Sequence, residues 1–255
     1  MKSKVITITS GKGGVGKTFT AVNLSIWLRQ KGFNVLLFDA DITLSNSYIM
    51  LGSKQNEKFY NFLSGNSKIQ DAVITSPYGV DTITNGNQII DINDISKEKI
   101  KTIYCQIKEM KKKYDFIIID TPAGYSNYIY NFYLISDTVL FIINPELPSI
   151  TSFYKIYKNF YNNIIKKYQK LISGIIINRC KDVNSGIETY KVIIELLKKR
   201  MKEFNRIYNP SLTGIILNKE QEVKTAIQKR IPAIVLYPYS TLKGSFDLIC
   251  NNLIN

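Results

Sequence analysis

Residues 11–18 read GKGGVGKT, a spacing that satisfies G-x-x-x-x-G-K-[ST]. Gly11, Gly13, Gly14 and Gly16 let a backbone curl so that successive N–H groups point inward at phosphate oxygens, with Val15 carried inside the turn. The helix that follows, opened by Lys17, Thr18 and Phe19, adds the partial positive charge of its N-terminus. In such a loop Lys17 meets the β- and γ-phosphates of a nucleoside triphosphate, and the Thr18 hydroxyl ligates Mg²⁺. The general pattern gives no role to Lys12, a second ammonium in the same loop.

Two further segments carry acids. YDFIIIDTPAG (114–124) is an apolar run that ends in Asp120. A strand would deliver that carboxylate to the same sheet edge as the loop, where it can hold a magnesium-bound water. Gly124, just beyond, gives the backbone freedom to shift when a terminal phosphate is present. LLFDADITLSN (36–46) is another strand ending in carboxylates, and the alternation of Asp39 and Asp41 lets both face one way. The chain has no histidine, which removes any imidazole base, nucleophile or ligand and leaves a carboxylate to orient an attacking water. Phosphoryl transfer asks for positioning and charge neutralisation more than for a strong base.

These side chains need strands that end at one edge. Short β-rich runs occur at 4–10, 34–39, 80–85, 115–120, 137–143, 170–178 and 212–217, several of them continuously apolar, as expected where helices cover both faces of a sheet. Helical spacing fills the intervals at 17–31, 96–113, 149–168, 185–203, 219–230 and from about Ser240. Gly32 is placed to cap the first of these. Ile150, Phe153, Tyr157, Phe160, Ile164 and Tyr168 form one stripe, and Leu242, Phe246, Ile249, Cys250 and Leu253 another. The less regular stretch 44–79 is expected to hold short helices. GYSNYIYNFYLIS (124–136), beside Asp120, is read as core packing, with a nucleotide-sensitive partner face as the alternative. Strand–helix alternation means right-handed crossovers and a mainly parallel sheet, an α/β P-loop NTPase fold in three layers, α/β/α. No linker or repeat interrupts it, so residues 1–255 are read as one domain.

Composition narrows the class. Hydrophobic residues at 45% and charged residues at 21% are the balance of a globular chain, and no run reaches the length of a membrane span. The basic start MKSKVITITS runs straight into the loop and is read as a first strand, not a signal peptide. Cys105, Cys180 and Cys250 are far apart, which argues against a disulfide framework and against a zinc or iron–sulfur site, and for reduced thiols in the cytoplasm. A net charge of +14 can attract nucleic acid or anionic lipid. The lysine runs at 111–113, 166–167 and 198–200 fall near helix ends, where cations suit the macrodipole, so a nucleic-acid surface is not favoured.

Taken together, the three segments resemble the MinD/ParA family of deviant-Walker ATPases, whose loop K-G-G-x-G-K-[ST] is matched by Lys12, Gly13, Gly14, Gly16, Lys17 and Thr18. The resemblance implies an ATPase that converts ATP to ADP and phosphate with Mg²⁺, slowly without a partner, and that dimerises when ATP is bound. It implies that Lys12 reaches across the dimer to the partner's phosphates and that Asp41 positions the hydrolytic water. It further implies that Asp39 joins Thr18 and Asp120 around magnesium, and that Asn46 lies near the facing active site. Asn178, followed by Arg179, would sit at the adenine, with Leu217 where relatives carry a proline on the base.

DADITLSN is similar to the MinD and FlhG branch, with Thr43 in place of the usual glycine, and the stretches 63–74, 177–193 and 223–240 look most like FlhG, which limits flagellar number. The partners so implied are an FlhF-like GTPase or flagellar switch components, and the place is the cytoplasm, with peripheral contact at the inner face of the cell membrane. Two departures are noted. FDLICNNLIN reads as a core-covering helix and not as the basic amphipathic tail with which MinD lies on the membrane. The chain also starts at its first strand, without the segment by which some FlhG proteins stimulate FlhF. The alternatives are a ParA-like DNA segregation ATPase, a MinD-type division-site regulator, and a module that binds nucleotide without hydrolysing it.

Overall fold

A computed structural model describes residues 2–43, 45–54, 57–85, 95–168, 172–201 and 209–254. In chain order its elements are β1 (Lys4–Thr9), α1 (Lys17–Gln30), β2 (Val35–Asp39), α2 (Ser47–Met50), α3 (Lys58–Leu63), β3 (Ile74–Thr75), β4 (Asp81–Ile83) and α4 (Lys97–Glu109). There follow β5 (Phe116–Asp120), α5 (Asn127–Ile135), β6 (Thr138–Ile143), α6 (Leu147–Phe160), α7 (Lys166–Tyr168), β7 (Ile172–Cys180), α8 (Val183–Arg200), β8 (Ser211–Leu217), α9 (Glu220–Lys229), α10 (Ala233–Leu236) and α11 (Thr241–Ile254). One sheet runs β3-β4-β2-β5-β1-β6-β7-β8, and every pairing except β3 with β4 is parallel.

The strands are apolar throughout because both faces are covered. Val5, Leu36, Phe38, Ile117, Ile119, Val139 and Phe141 point to one side, under α3 to α6 and α8. Ile6, Ile8, Leu37, Phe116, Ile118, Leu140 and Ile142 point to the other, under α1, α10 and α11. Residues adjacent in a strand fall into opposite layers, as the pleat requires. Helix α1 is buried nearly all round because the sheet lies beneath it and α11 above it. The Trp27 indole donates to Asp247 of α11 at 2.5 Å. Gly32, at φ 90°, closes α1 as its position suggests.

Each of the seven strands and six long helices read from the pattern is found within a few residues, although the proposed starts at 170–171 and the helix end at 202–203 lie outside the described residues. Four features differ. The two-residue β3 is too short to carry a pattern. Short α10 was not anticipated. Residues 127–135 form a helix, α5, capped by the Ser126 hydroxyl accepting from Ile129 N–H. Finally, the stripe in α6 breaks at Tyr168, which is 45% exposed. A π-turn at Tyr161–Ile165 inserts a residue, rotating Tyr161, Ile164 and Ile165 inward and Tyr168 out.

Candidate functional site

Strand β5 is inserted between β1 and β2, and this fixes the site. Ile8 is level with Asp120, and Asp120 with Asp39, so the phosphate loop and two carboxylates emerge side by side at the C-terminal edge. Ala40 N–H donates to the Asp120 carbonyl, Thr121 Oγ1 to the Ile8 carbonyl at 2.9 Å, and Gly124 N–H to the Ser10 carbonyl at 2.8 Å. The turn after β5 is thereby stitched to the phosphate loop.

The loop takes its shape from glycine. Gly14 and Gly16 have φ of 75° and 100°, conformations that a side chain resists, and a Cβ on Gly16 would run into Asn178. Gly11 lies against the α6 backbone, where a Cβ would come within 2.5 Å of Ser152. Val15 is buried and its carbonyl accepts from Asn178 Nδ2 at 2.7 Å, so Asn178 braces the loop from behind. Its Oδ1 accepts from Arg179 N–H at 2.9 Å. Arg179 itself adopts φ 59° at an irregularity where β7 ends, a strained geometry often kept at binding sites.

Two adjoining cavities follow the loop. One of about 380 Å³ is bordered by Gly16, Phe19, Asn178, Arg179, Leu217 and Val223, and suits an apolar ring system with polar groups at its edge. The other, about 350 Å³, is bordered by Gly14, Lys17, Thr18, Asn46, Met50 and Arg179, and opens at the N-terminus of α1, where phosphates bind. The fold brings these residues to one edge, and Asn46, which the resemblance implies for the facing active site, borders the chain's own loop cavity. Ile49, Met50, Val223 and Ile227, which also line the space, carried no signal in the sequence beyond being apolar.

The charges are arranged around Lys17, which is only 9% exposed. Burial lowers its pKa, and the carboxylates of Asp120 and Asp41 oppose that shift. Asp39 is fully buried and heavily partnered: its Oδ2 accepts from Ser45 Oγ at 2.6 Å, Ser47 N–H at 3.0 Å and Asn46 N–H at 3.2 Å, and its Oδ1 from Asp41 N–H at 3.2 Å. Burial nevertheless raises its pKa. Ser45 is in turn hydrogen-bonded to Thr84 at 2.5 Å, which locks the segment after β2 onto the end of β4.

Asp120 is different. It is 1% exposed, and neither carboxylate oxygen has a hydrogen-bond partner. Burial and the neighbouring Asp39 charge raise its pKa well above the usual range; the Thr18 hydroxyl and Lys17 soften the effect, with Thr18 falling short of a formed hydrogen bond. A buried carboxylate without donors has the chemistry to hold a cation. Among the described residues no three His, Cys, Asp or Glu side chains form a metal cage. Mg²⁺ in phosphoryl-transfer sites takes one or two protein ligands and fills its octahedron with phosphate oxygens and water. Thr18, Asp39 and Asp120 fit such an ion.

Lys12 and Gly13 lie outside both cavities, exposed. The Lys12 ammonium pairs with Glu146, just before α6, at 3.3 Å, and both side chains are about half exposed, 44% and 49%. The second lysine of the loop thus turns away from its own phosphate pocket. The aromatic segment divides as well: Tyr128, Ile129, Phe132 and Tyr133 are core, while Tyr125 and Leu134 remain exposed at 41% and 40%.

Comparison with known proteins agrees with this geometry. The family model described as AAA domain matches residues 3–174. The flagellum site-determining protein YlxH of Helicobacter pylori is 27% identical over 253 residues, 99% of this chain and 82% of that one. The septum site-determining protein MinD of the same organism is 33% identical over 183 residues, 69% of this chain and 67% of that one. The solved structure of the septum site-determining protein MinD complexed with Mg-ADP from Pyrococcus horikoshii superposes with a TM-score of 0.78 at 26% identity, covering 98% of this chain and 96% of that one. A nucleotide loop with two lysines, set on a sheet shared nearly end to end with MinD, leaves one assignment: the chain belongs to the MinD/ParA family of P-loop ATPases.

Proposed function

We propose that this chain is a Mg²⁺-dependent ATPase whose ATP-bound form is a homodimer and whose hydrolysis of ATP dissolves it, a spatial switch of the MinD type. The reading rests above all on Asp120, a buried carboxylate with no donor, set beside buried Lys17 and the Thr18 hydroxyl at the mouth of a phosphate loop. Mg²⁺ held by Thr18, Asp39 and Asp120 supplies charge neutralisation for the phosphates. Loop N–H groups and Lys17 bind and orient the β- and γ-phosphates, Asn178 and Arg179 border the base, and Asp41 orients the attacking water. Ser45, Ser47 and Thr84 hold Asp39 still, which preserves the geometry between turnovers. Asn46 and Lys12 serve the facing protomer, Lys12 leaving Glu146 to reach its phosphates.

Among the roles of this family, the placement or number of flagella is favoured by the similarity to YlxH along nearly the whole chain. Partners are then a GTPase of the FlhF kind or parts of the flagellar switch. No described helix is long and apolar enough to cross a membrane. The +14 charge favours a second reading, DNA segregation, which predicts a salt-sensitive gel shift with DNA of any sequence. The dimer switch is tested by sedimentation with Mg-ADP and with a non-hydrolysable ATP analogue, alongside phosphate release. A monomer under both conditions would overturn it.

A further inference from the structure

Helices α4 and α5 pack against each other, and a groove of about 530 Å³ is left between them. One face of each helix lines it: Lys97, Ile100, Lys101 and Tyr104 at helical spacing on α4, and Asn127, Tyr128 and Asn131 on α5. The floor is aromatic, with the Tyr104 and Tyr128 ring centroids 6.2 Å apart. The Tyr104 hydroxyl donates to the Tyr128 carbonyl at 2.8 Å, and the Tyr128 hydroxyl is sealed from solvent with no partner among the described residues. Both residues therefore offer the groove ring surface and not a polar group.

The rim is cationic. Lys97 and Lys101 are exposed, and neither forms an ion pair with a described residue. They stand one helical turn apart, about 6 Å along the axis. Lys99, between them in sequence, is spent on another face, its ammonium 4.3 Å from the Phe62 ring centroid. No acidic side chain borders the groove among the described residues. Lys97 also opens α4, directly after the Ser96 cap, where the helix's own partial positive charge disfavours a cation. Two ammoniums beside a helix N-terminus, with no counter-charge, suit an anionic occupant.

That occupant must also fill an aromatic floor. A nucleic-acid duplex or a bilayer offers rows of phosphates to a broad basic surface, and neither inserts an apolar side chain into a recess. A helix whose apolar face is flanked by acids matches both features. We propose that the α4–α5 groove docks an acidic amphipathic helix of a partner protein, with an apolar side chain on the two tyrosine rings and carboxylates a turn apart on Lys97 and Lys101. The surface is well placed for a partner of this protein, because α5 follows the turn whose Gly124 N–H donates to the Ser10 carbonyl of the phosphate loop.

The test selects short helical peptides from a phage-displayed library on the full chain. Enriched sequences should carry two Asp or Glu residues three or four positions apart beside a large apolar residue. A synthetic representative should bind the parent in fluorescence anisotropy and weaken as salt is raised. Its Kd should rise roughly tenfold or more in Lys97→Gln/Lys101→Gln, which removes both charges from the rim. It should rise similarly in Asn131→Trp, which obstructs the groove and leaves its charge alone. Mg-ADP affinity within about twofold of the parent shows that each variant is folded, and the paired-lysine variant, altered only at exposed side chains, decides the matter if Asn131→Trp is not. Enriched sequences without paired acids, or acidic peptides that bind the paired-lysine variant as well as the parent, would overturn the proposal. So would duplex DNA or phosphatidylglycerol vesicles that lose binding in that variant while no acidic peptide is selected.

Discussion

Replacing Asp120 by asparagine should stabilise the free protein and disable the loaded one. The carboxylate is buried beside Asp39 with no donor to either oxygen, so in the absence of a cation its charge opposes folding. A buried charged group left unsatisfied costs about 1–3 kcal/mol or more, and the amide keeps the shape while discarding the charge. In a chain of this size 1 kcal/mol moves Tm by roughly 2–4 °C, which puts the expected gain at roughly 2–12 °C. The sign with pH follows from the direction of the shift. The folded-state pKa lies above the unfolded value of 3.8, so the contribution of Asp120 favours folding below that value and is lost as pH rises through the raised one. The two proteins should therefore melt together near pH 4 and separate as the solution becomes alkaline. Mg-ADP should reverse the order, because only the parent gains from a ligand that needs the cation. Thermal melts in EDTA from pH 4 to 8, repeated with Mg-ADP, measure all of this. A variant that melts below the parent in EDTA at pH 8 would refute the reasoning, since Asp120 would then have a partner that holds it.

Lys12→Ala should bind Mg-ADP as the parent does and melt within about 1 kcal/mol of it, because the side chain it removes makes a half-exposed ion pair to Glu146; sedimentation with a non-hydrolysable ATP analogue should show no dimer. Gly16→Ala sets a Cβ into Asn178 at φ 100° and should cost about 1–3 kcal/mol in stability together with most nucleotide binding, read by melting and calorimetric titration. Ser45→Ala removes the hydroxyl that joins Asp39 to Thr84, and should lower stability by about 1–3 kcal/mol and weaken the Mg²⁺ dependence of nucleotide binding, read in the same titrations with and without the metal.

The frame of the site was legible because its signals are local. A glycine loop between a strand and a helix, and two apolar strands ending in Asp39 and Asp120, need only neighbours in sequence to be recognised. Helix α5 was not read as one because its tyrosines, phenylalanine and isoleucines favour strands in isolation, and tertiary packing against Phe38 and Tyr104 overrode that preference. The Ser126 cap was the available clue. The π-turn in α6 obeys no simple spacing, so Tyr168 was placed on the wrong face. What stayed invisible is long-range. Glu146 meets Lys12 across 134 positions, Thr84 meets Ser45 across 39, and the solitude of the Tyr128 hydroxyl exists only once α4, α5 and β2 are packed.

The two lysines of the loop now have separate physical reasons. Lys17 is buried, and the charges of Asp41 and Asp120 oppose the desolvation that lowers its pKa, so it belongs to the protomer's own phosphate pocket. Lys12 is exposed, and its bond to Glu146 is of a kind worth about 0–1 kcal/mol. A contact that weak stores no energy and cannot act as a latch. It keeps a long side chain near the α6 edge at almost no cost, and a triphosphate on a facing copy, with several negative charges in a desolvated seam, would outcompete one half-hydrated carboxylate. Control of the dimer must then sit with the terminal phosphate and with whatever aligns Asp41, not with the Lys12–Glu146 pair. Glu146→Gln should accordingly leave nucleotide-dependent dimerisation within about twofold of the parent, and a variant that dimerised freely with ADP would show instead that the pair is the restraint.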